Sequence, residues 1–133
     1  MQKSQERLSG AWGFWQDHWD HVEGLKVQSL NDLGVAATVN EFWNLYERNA
    51  VGQLSKDCSL HIFRKHVKPE WEDPANVNGG HFRLLATMST DINAQQRKIG
   101  HLWFDLVRAV VREDFTDAKS VVGIAFTNKS YRQ

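Results

Sequence analysis

The chain has 133 residues, 41% hydrophobic and 24% charged, with Lys+Arg 16 against Asp+Glu 16 and a formal net charge of +0. That length supports one domain around one core of moderate size, and the charge balance argues against a long nucleic-acid duplex as the main ligand, since such proteins carry a basic excess. The lone Cys58 excludes an internal disulfide, no apolar run is long enough to span a bilayer, and the polar N-terminus lacks a signal-peptide core, so the expectation is a soluble intracellular domain.

Residues 1–10 are polar and read as a flexible N-terminal tail, with 11–133 as a single domain. Trp12, Phe14, Trp15 and Trp19 crowd the next stretch, which reads as a first strand running into a loop. Period two puts Trp12 and Phe14 on one face and Trp15 on the other. Asp17 to Gly24 reads as a charged turn region, Leu25 to Leu30 as a second strand, and Asn31 to Gly34 as another turn. Thr38 and Glu41 have capping-box spacing, followed by Val39, Phe42, Trp43 and Tyr46 at i, i+3, i+4 and i+7, which predicts a helix. Asp57 to Phe63 alternates as a strand, His81 to Thr87 reads as a further strand, and Met88 to Asn93 as a connection. From Gln95 onward, Ile99, Leu102, Trp103, Leu106, Val107, Val110 and Val111 keep helical spacing and predict the main core helix. Asp114 to Lys119 is a polar loop before a last strand, Val121 to Thr127, and a basic C-terminal end. Strands with two inserted helices and no regular βαβ alternation predict an α+β fold with a largely antiparallel sheet.

Pro69 to Gly80 is polar, holds both prolines, and reads as a shaped loop. Six tryptophans exceed what a core of this size needs. Trp71 in that loop either folds back as a lid over the core or offers a flat ring for stacking. In the second case Glu72 beside it is an acceptor for the edge of the stacked group.

Pro69, Trp71-Glu72-Asp73, Asn76 and Gly79-Gly80 resemble the cap-binding loop of the eukaryotic translation initiation factor 4E family. Trp12, the helix with Phe42-Trp43 and Leu45-Tyr46, Cys58-Ser59-Leu60, and Leu102-Trp103 match that family in the same order. The resemblance implies a curved antiparallel sheet with helices on its convex back and the 7-methylguanosine cap of messenger RNA on its concave front. Methylation at N7 makes the base a cation, which a tryptophan face attracts, and strengthens its edge donors toward a carboxylate. By resemblance, Trp71 and Glu72 bind the base. The second stacking ring belongs to the loop between the first two strands, where Trp19 lies; Trp15 turned to the same groove is the rival, and core packing the remaining reading. Lys129, Arg132 and His81 fall where the family binds the phosphates, with His81 standing where arginine is usual. Trp43, beside Val39 and with Asp105 and Leu106 as neighbours, matches the surface that takes an amphipathic helix of a 4G-type scaffold or a 4E-binding protein. Trp43 also lies on the apolar stripe of its helix, so core packing stays open for it.

The resemblance implies a cap-binding protein in translation initiation or its regulation, cytoplasmic or also nuclear, with no enzymatic activity, cofactor or membrane partner expected. The other reading of the same fold is a protein-interaction module with weak or no cap binding. His18, His21, Cys58 and His61 would be the ligands of a zinc-dependent hydrolase, but Cys58 and His61 point to opposite faces of a strand and cannot easily share an ion. The family domain continues past the position matching Gln133, so the chain is expected to be C-terminally truncated, with an exposed sheet edge.

Overall fold

The computed structural model describes residues 6–55, 57–70, 76, 79–80 and 92–128, with the backbone alone for 92–96. The described elements are β1 (Arg7–Val22), β2 (Leu25–Thr38), α1 (Val39–Arg48), β3 (Cys58–Arg64), α2 (Ile92–Val111) and β4 (Gly123–Asn128). Among the described residues the strands form a four-stranded antiparallel sheet in the order β2-β1-β3-β4. The architecture is the expected α+β arrangement, an open curved sheet with helices on one face. The expected strand His81 to Thr87 lies outside the described residues.

The alternation in β1 sets the two faces. Trp12 and Phe14 are completely buried, and Leu60 and Ile62 of β3 lie on the same side. Phe42 and Leu45 of α1 and Trp103, Val107, Val110 and Val111 of α2 close over them as one core cluster. Phe14 meets Phe42 edge to face at 5.1 Å, and Trp103 meets Phe126 of β4 at 5.5 Å, the ring geometry that aromatic quadrupoles favour. The other face of the sheet, carrying Trp15, Asp17, Trp19, Ser59 and His61, receives neither described helix.

α1 starts where the capping box predicts. Thr38 Oγ1 accepts from the Glu41 N–H at 3.2 Å, while Glu41 Oε1 accepts from the Ala37 and Thr38 N–H groups, both at 3.0 Å. Those two backbone bonds, Ala37 first, hold the Glu41 carboxyl below its ordinary range.

The hairpin differs from the sequence expectation. β1 begins at Arg7, inside the expected tail, and runs through the predicted turn region to Val22. The turn is Glu23-Gly24 alone, with φ of 53° and 79°, the positive values a two-residue hairpin turn demands. β3 pairs only with Trp12 to His18, so the outer arm of the hairpin stands beyond the layered core. Both its faces meet water, which removes the need for alternation. The predicted second turn, Asn31 to Gly34, is instead a bulge inside β2. Phe14 pairs with Gly34 and Trp15 with Asp32, leaving Leu33 extra, and Asp32 Oδ1 accepts the Gly34 N–H at 2.9 Å. Gly34 sits at φ 132°, and a Cβ there would lie 3.3 Å from a Leu45 methyl, so glycine serves both the backbone and the approach of α1.

Within α2 the stripe is narrower than its periodicity suggests. Leu102 is 46% exposed, while Trp103 and Val107 carry the packing. After α2, Arg64 at the end of β3 fastens the returning chain. Its guanidinium donates to the carbonyls of Val121 and Ala118 and to Glu113 Oε1 at 2.9, 3.3 and 3.1 Å, and lies over the Trp12 ring at 4.7 Å. That clamp turns the chain back into β4.

Candidate ligand-binding face

Trp19 is the base-stacking candidate among the described residues. It lies on β1 rather than in a loop, opposite Gln28 of β2 on the helix-free face, and is 37% exposed. The correction follows from the extended hairpin: strand pairing continues past the residues whose polarity suggested a turn. The Lys26 ammonium stands 4.8 Å from the Trp19 ring centroid, so this indole already faces a cation. The rival, Trp15, points to the same face but is half-buried, and its indole nitrogen lies 3.2 Å from the place a Cβ on Gly13 would take. Trp15 is therefore turned along the strand over Gly13, and Trp19 is the freer ring.

Trp71, Glu72, His81, Lys129 and Arg132 lie outside the described residues. The frame of the loop that contains the first two is described at both ends. Asn76 donates from its side-chain amide to the carbonyls of Lys68 and Glu70 at 2.9 and 2.7 Å, and its own carbonyl accepts the Gly79 N–H at 3.0 Å. One side chain thus ties together the chain on either side of Trp71 and Glu72. The motif contains Asn76, yet only the hydrogen bonds reveal it as a fastener.

Below Trp19 the sheet floor is polar. Asp17, 4% exposed, accepts from Gln28 Nε2 at 3.0 Å and pairs with His61 Nε2 at 2.9 Å. Burial pushes the Asp17 carboxyl up, but the His61 hydrogen bond and charge, with Gln28 and Ser59 adding smaller pulls, outweigh it and leave the group below its ordinary value. Sequence reasoning missed this pair because nothing local joins two residues on different strands.

On the opposite side, Trp43 is half-buried on α1 and packs edge to face on Phe42 and Tyr46, at 5.1 and 5.2 Å. Its ring partner from α2 is Phe104, at 5.5 Å, and Phe104 also meets Tyr46 at 6.0 Å. Burial raises the Tyr46 hydroxyl above its usual range. Val39 and Leu106 are half-buried and Asp105 is exposed. Phe104, 36% exposed, extends this aromatic surface to solvent. Phe104 was visible only as a break in the α2 stripe, an apolar residue one step off the buried line.

The zinc candidates separate. Cys58 faces the helix side, with Sγ 3.0 Å from His18 Nδ1, while His61 pairs with Asp17 on the other face. Among the described residues no group of three or more His, Cys, Asp or Glu could hold a metal ion. Burial, aided by the charges of Asp17, Asp57 and Asp20 against a hydrogen bond from Gln16, raises the Cys58 thiol above its ordinary value. No helix among the described residues is long and apolar enough to cross a membrane.

The family model described as "Eukaryotic initiation factor 4E" matches residues 7–133. Among curated proteins, the chain is 27% identical over 124 residues to the eukaryotic translation initiation factor isoform 4E of Arabidopsis thaliana, covering 92% of this chain and 60% of that protein. It is 28% identical over 127 residues to the isoform 4E of Solanum lycopersicum, covering 93% of this chain and 60% of that protein. The chain thus spans about three fifths of the length of these curated relatives. Among solved structures, it superposes on Ascaris suum eIF4E-3 in complex with the m2,2,7G cap with TM-score 0.75 and 25% identity, over 93% of this chain and 67% of that one. It superposes on C. elegans eIF4E-3 in complex with the 4E-binding protein Mextli with TM-score 0.78 and 25% identity, over 93% of this chain and 69% of that one.

Proposed function

Because the chain belongs to the eukaryotic initiation factor 4E family, we propose that it reads the 7-methylguanosine cap of messenger RNA on the helix-free face of its sheet, in translation initiation or its regulation. The methylated base stacks between Trp19 and Trp71, and Glu72 accepts the two edge N–H groups. Lys129, Arg132 and His81 supply charge to the phosphates. The protein binds and catalyses nothing: its work is to hold the capped end and present it. On the opposite face, Val39, Trp43, Asp105 and Leu106, with Phe104 added to them, dock an amphipathic helix of a 4G-type scaffold or a 4E-binding protein.

The observation that carries this reading is the exposed Trp19 indole, which faces the Lys26 ammonium on the face that the described helices leave open. A ring held so is suited to a flat cation, and N7 methylation makes guanine one. Support also comes from cap complexes among the similar structures. Adding 7-methylguanosine triphosphate should quench tryptophan fluorescence saturably, with little effect from GTP, and Trp71→Ala should remove much of the quench. A flat titration from folded protein would sink the reading.

A second reading is favoured by the Trp43–Tyr46–Phe104 cluster, which is complete among the described residues. There the chain is an interaction module with weak or no cap binding. Peptide docking through Trp43 beside a flat nucleotide titration would select it.

A further inference from the structure

β2 is an edge strand among the described residues: the sheet runs β2-β1-β3-β4, and no described strand pairs with its outer side. Which residues face outward follows from the ladder. The Lys65 N–H donates to the Ala11 carbonyl, so β1 turns the backbone groups of its odd-numbered residues toward β3 and those of its even-numbered residues toward β2. His18, Asp20 and Val22 therefore bond Ser29, Val27 and Leu25, the last pair closing the two-residue turn. The N–H and C=O groups of Lys26, Gln28, Leu30 and Asp32 are left pointing out from the edge. Such a row is a template for another strand.

The side chains say which strand fits. Lys26 and Asp32 are both exposed. A second β2 laid antiparallel, with Ser29 on the two-fold axis, sets every one of the four outward residues opposite another outward residue. Lys26 then meets Asp32 of the second copy, and symmetry repeats the pair. Moving the register two residues either way keeps the backbone bonds but separates these charges. The same register brings Leu25, 69% exposed at the hairpin tip, beside Leu33 of the second copy. Leu33 lines a surface crevice with Gly34, Val35 and Leu45, and Arg48 lines it too. Glu23, in the turn next to Leu25, travels with the tip toward that arginine. Backbone, charge and apolar surface thus agree on one register.

We propose that the chain forms a two-fold dimer through the outer edge of β2, continuing the sheet across the axis in the order β4-β3-β1-β2-β2-β1-β3-β4. The partner is a second copy of this chain, held by backbone hydrogen bonds from Lys26 to Asp32 and by the two Lys26–Asp32 pairs. Its occupied edge is no longer open to other strands.

Sedimentation of the full chain over a wide range of concentration should show a monomer–dimer equilibrium. Lys26→Asp and Asp32→Lys should each weaken it about five- to thirtyfold, because each change enters the interface twice and sets like charges opposite one another. The double exchange, Lys26→Asp with Asp32→Lys, should restore it to within about threefold. The register has its own test. Ser29 meets its own copy as a non-hydrogen-bonded pair, with Cα atoms about 4.5 Å apart, within disulfide reach. Mild oxidation should therefore link Ser29→Cys into a dimer and leave Val27→Cys unlinked. Cys58 does not interfere, since it is buried and lies two strands from Ser29, about 10 Å away. A monomer at every concentration would overturn the proposal. So would a dimer that ignores both charge reversals, and its loss on Trp43→Ala would then place the contact on the helical surface. The unaltered chain and Ser29→Cys decide the matter even where a charge variant does not fold.

Discussion

Trp19→Ala separates the two indoles of the first strand. Trp19 stands on the hairpin arm beyond His18, where pairing with β3 ends, and more than a third of it meets solvent. Truncating it removes no core contact, so its cost to folding should stay within the roughly 0.5 kcal/mol usual for surface positions. Its cost to binding should be that of one stacked face, about 1–3 kcal/mol, or about five- to 150-fold in affinity for 7-methylguanosine triphosphate. Trp15→Ala should show the reverse pattern. That ring is half-buried against Gly13, so its loss should lower the melting temperature and change affinity by less than about threefold.

Lys26 supplies an internal control. Its ammonium rests on the ring to which the proposal assigns the base, an arrangement worth about 0.5–1 kcal/mol at an exposed site. Lys26→Gln should therefore raise affinity about two- to fivefold, measured at high ionic strength so that lost attraction for the phosphates is screened. The assay is fluorescence or calorimetric titration of each variant, with thermal melts alongside. The reasoning is refuted if Trp19→Ala binds as the parent does while Trp15→Ala, still folded, does not.

Gly34→Ala should destabilise by about 1–3 kcal/mol, read from urea melts, because it forces a side chain onto a φ of 132° and against Leu45. The Asp17 carboxyl is held below its ordinary value near 3.8, so the folded state binds fewer protons than the unfolded one. Its stabilisation should be complete above that ordinary value and disappear as pH falls through the lower folded one; Asp17→Asn should flatten this part of the stability profile between pH 7 and acid. Phe104→Ala should weaken docking of an amphipathic peptide by about 1–3 kcal/mol while leaving cap titrations unchanged, since it extends the Trp43 surface on the far side of the sheet.

What the sequence disclosed is what short-range physics enforces. The Thr38–Glu41 cap is legible because both partners lie within one turn. Trp12 and Phe14 are legible because one buried face imposes a period of two. The hairpin arm was misread for the complementary reason: beyond His18 no third strand or helix among the described residues packs on it to sort its residues, so polar side chains sit on a regular strand. Asn31 to Gly34 carried a turn signal, yet the same residues make a bulge when the partner strand continues alongside. Leu102 and Phe104 show the limit for helices, since periodicity finds a stripe, and the angle at which α2 crosses the sheet decides which edge is buried. At the candidate site, Trp19 was named by the resemblance, which expects a ring in the loop between the first two strands, whereas pairing of the long hairpin puts it on β1. The Asp17–His61 pair was not, because its members are 44 residues apart and meet only in the register of β1 against β3. Slipping that register by one residue would send Asp17 toward the Trp12 side and the core aromatics to the open face. The packing of Trp12 and Phe14 under the helices therefore also fixes the carboxylate on the helix-free side: burial on one face of the sheet determines the chemistry presented by the other.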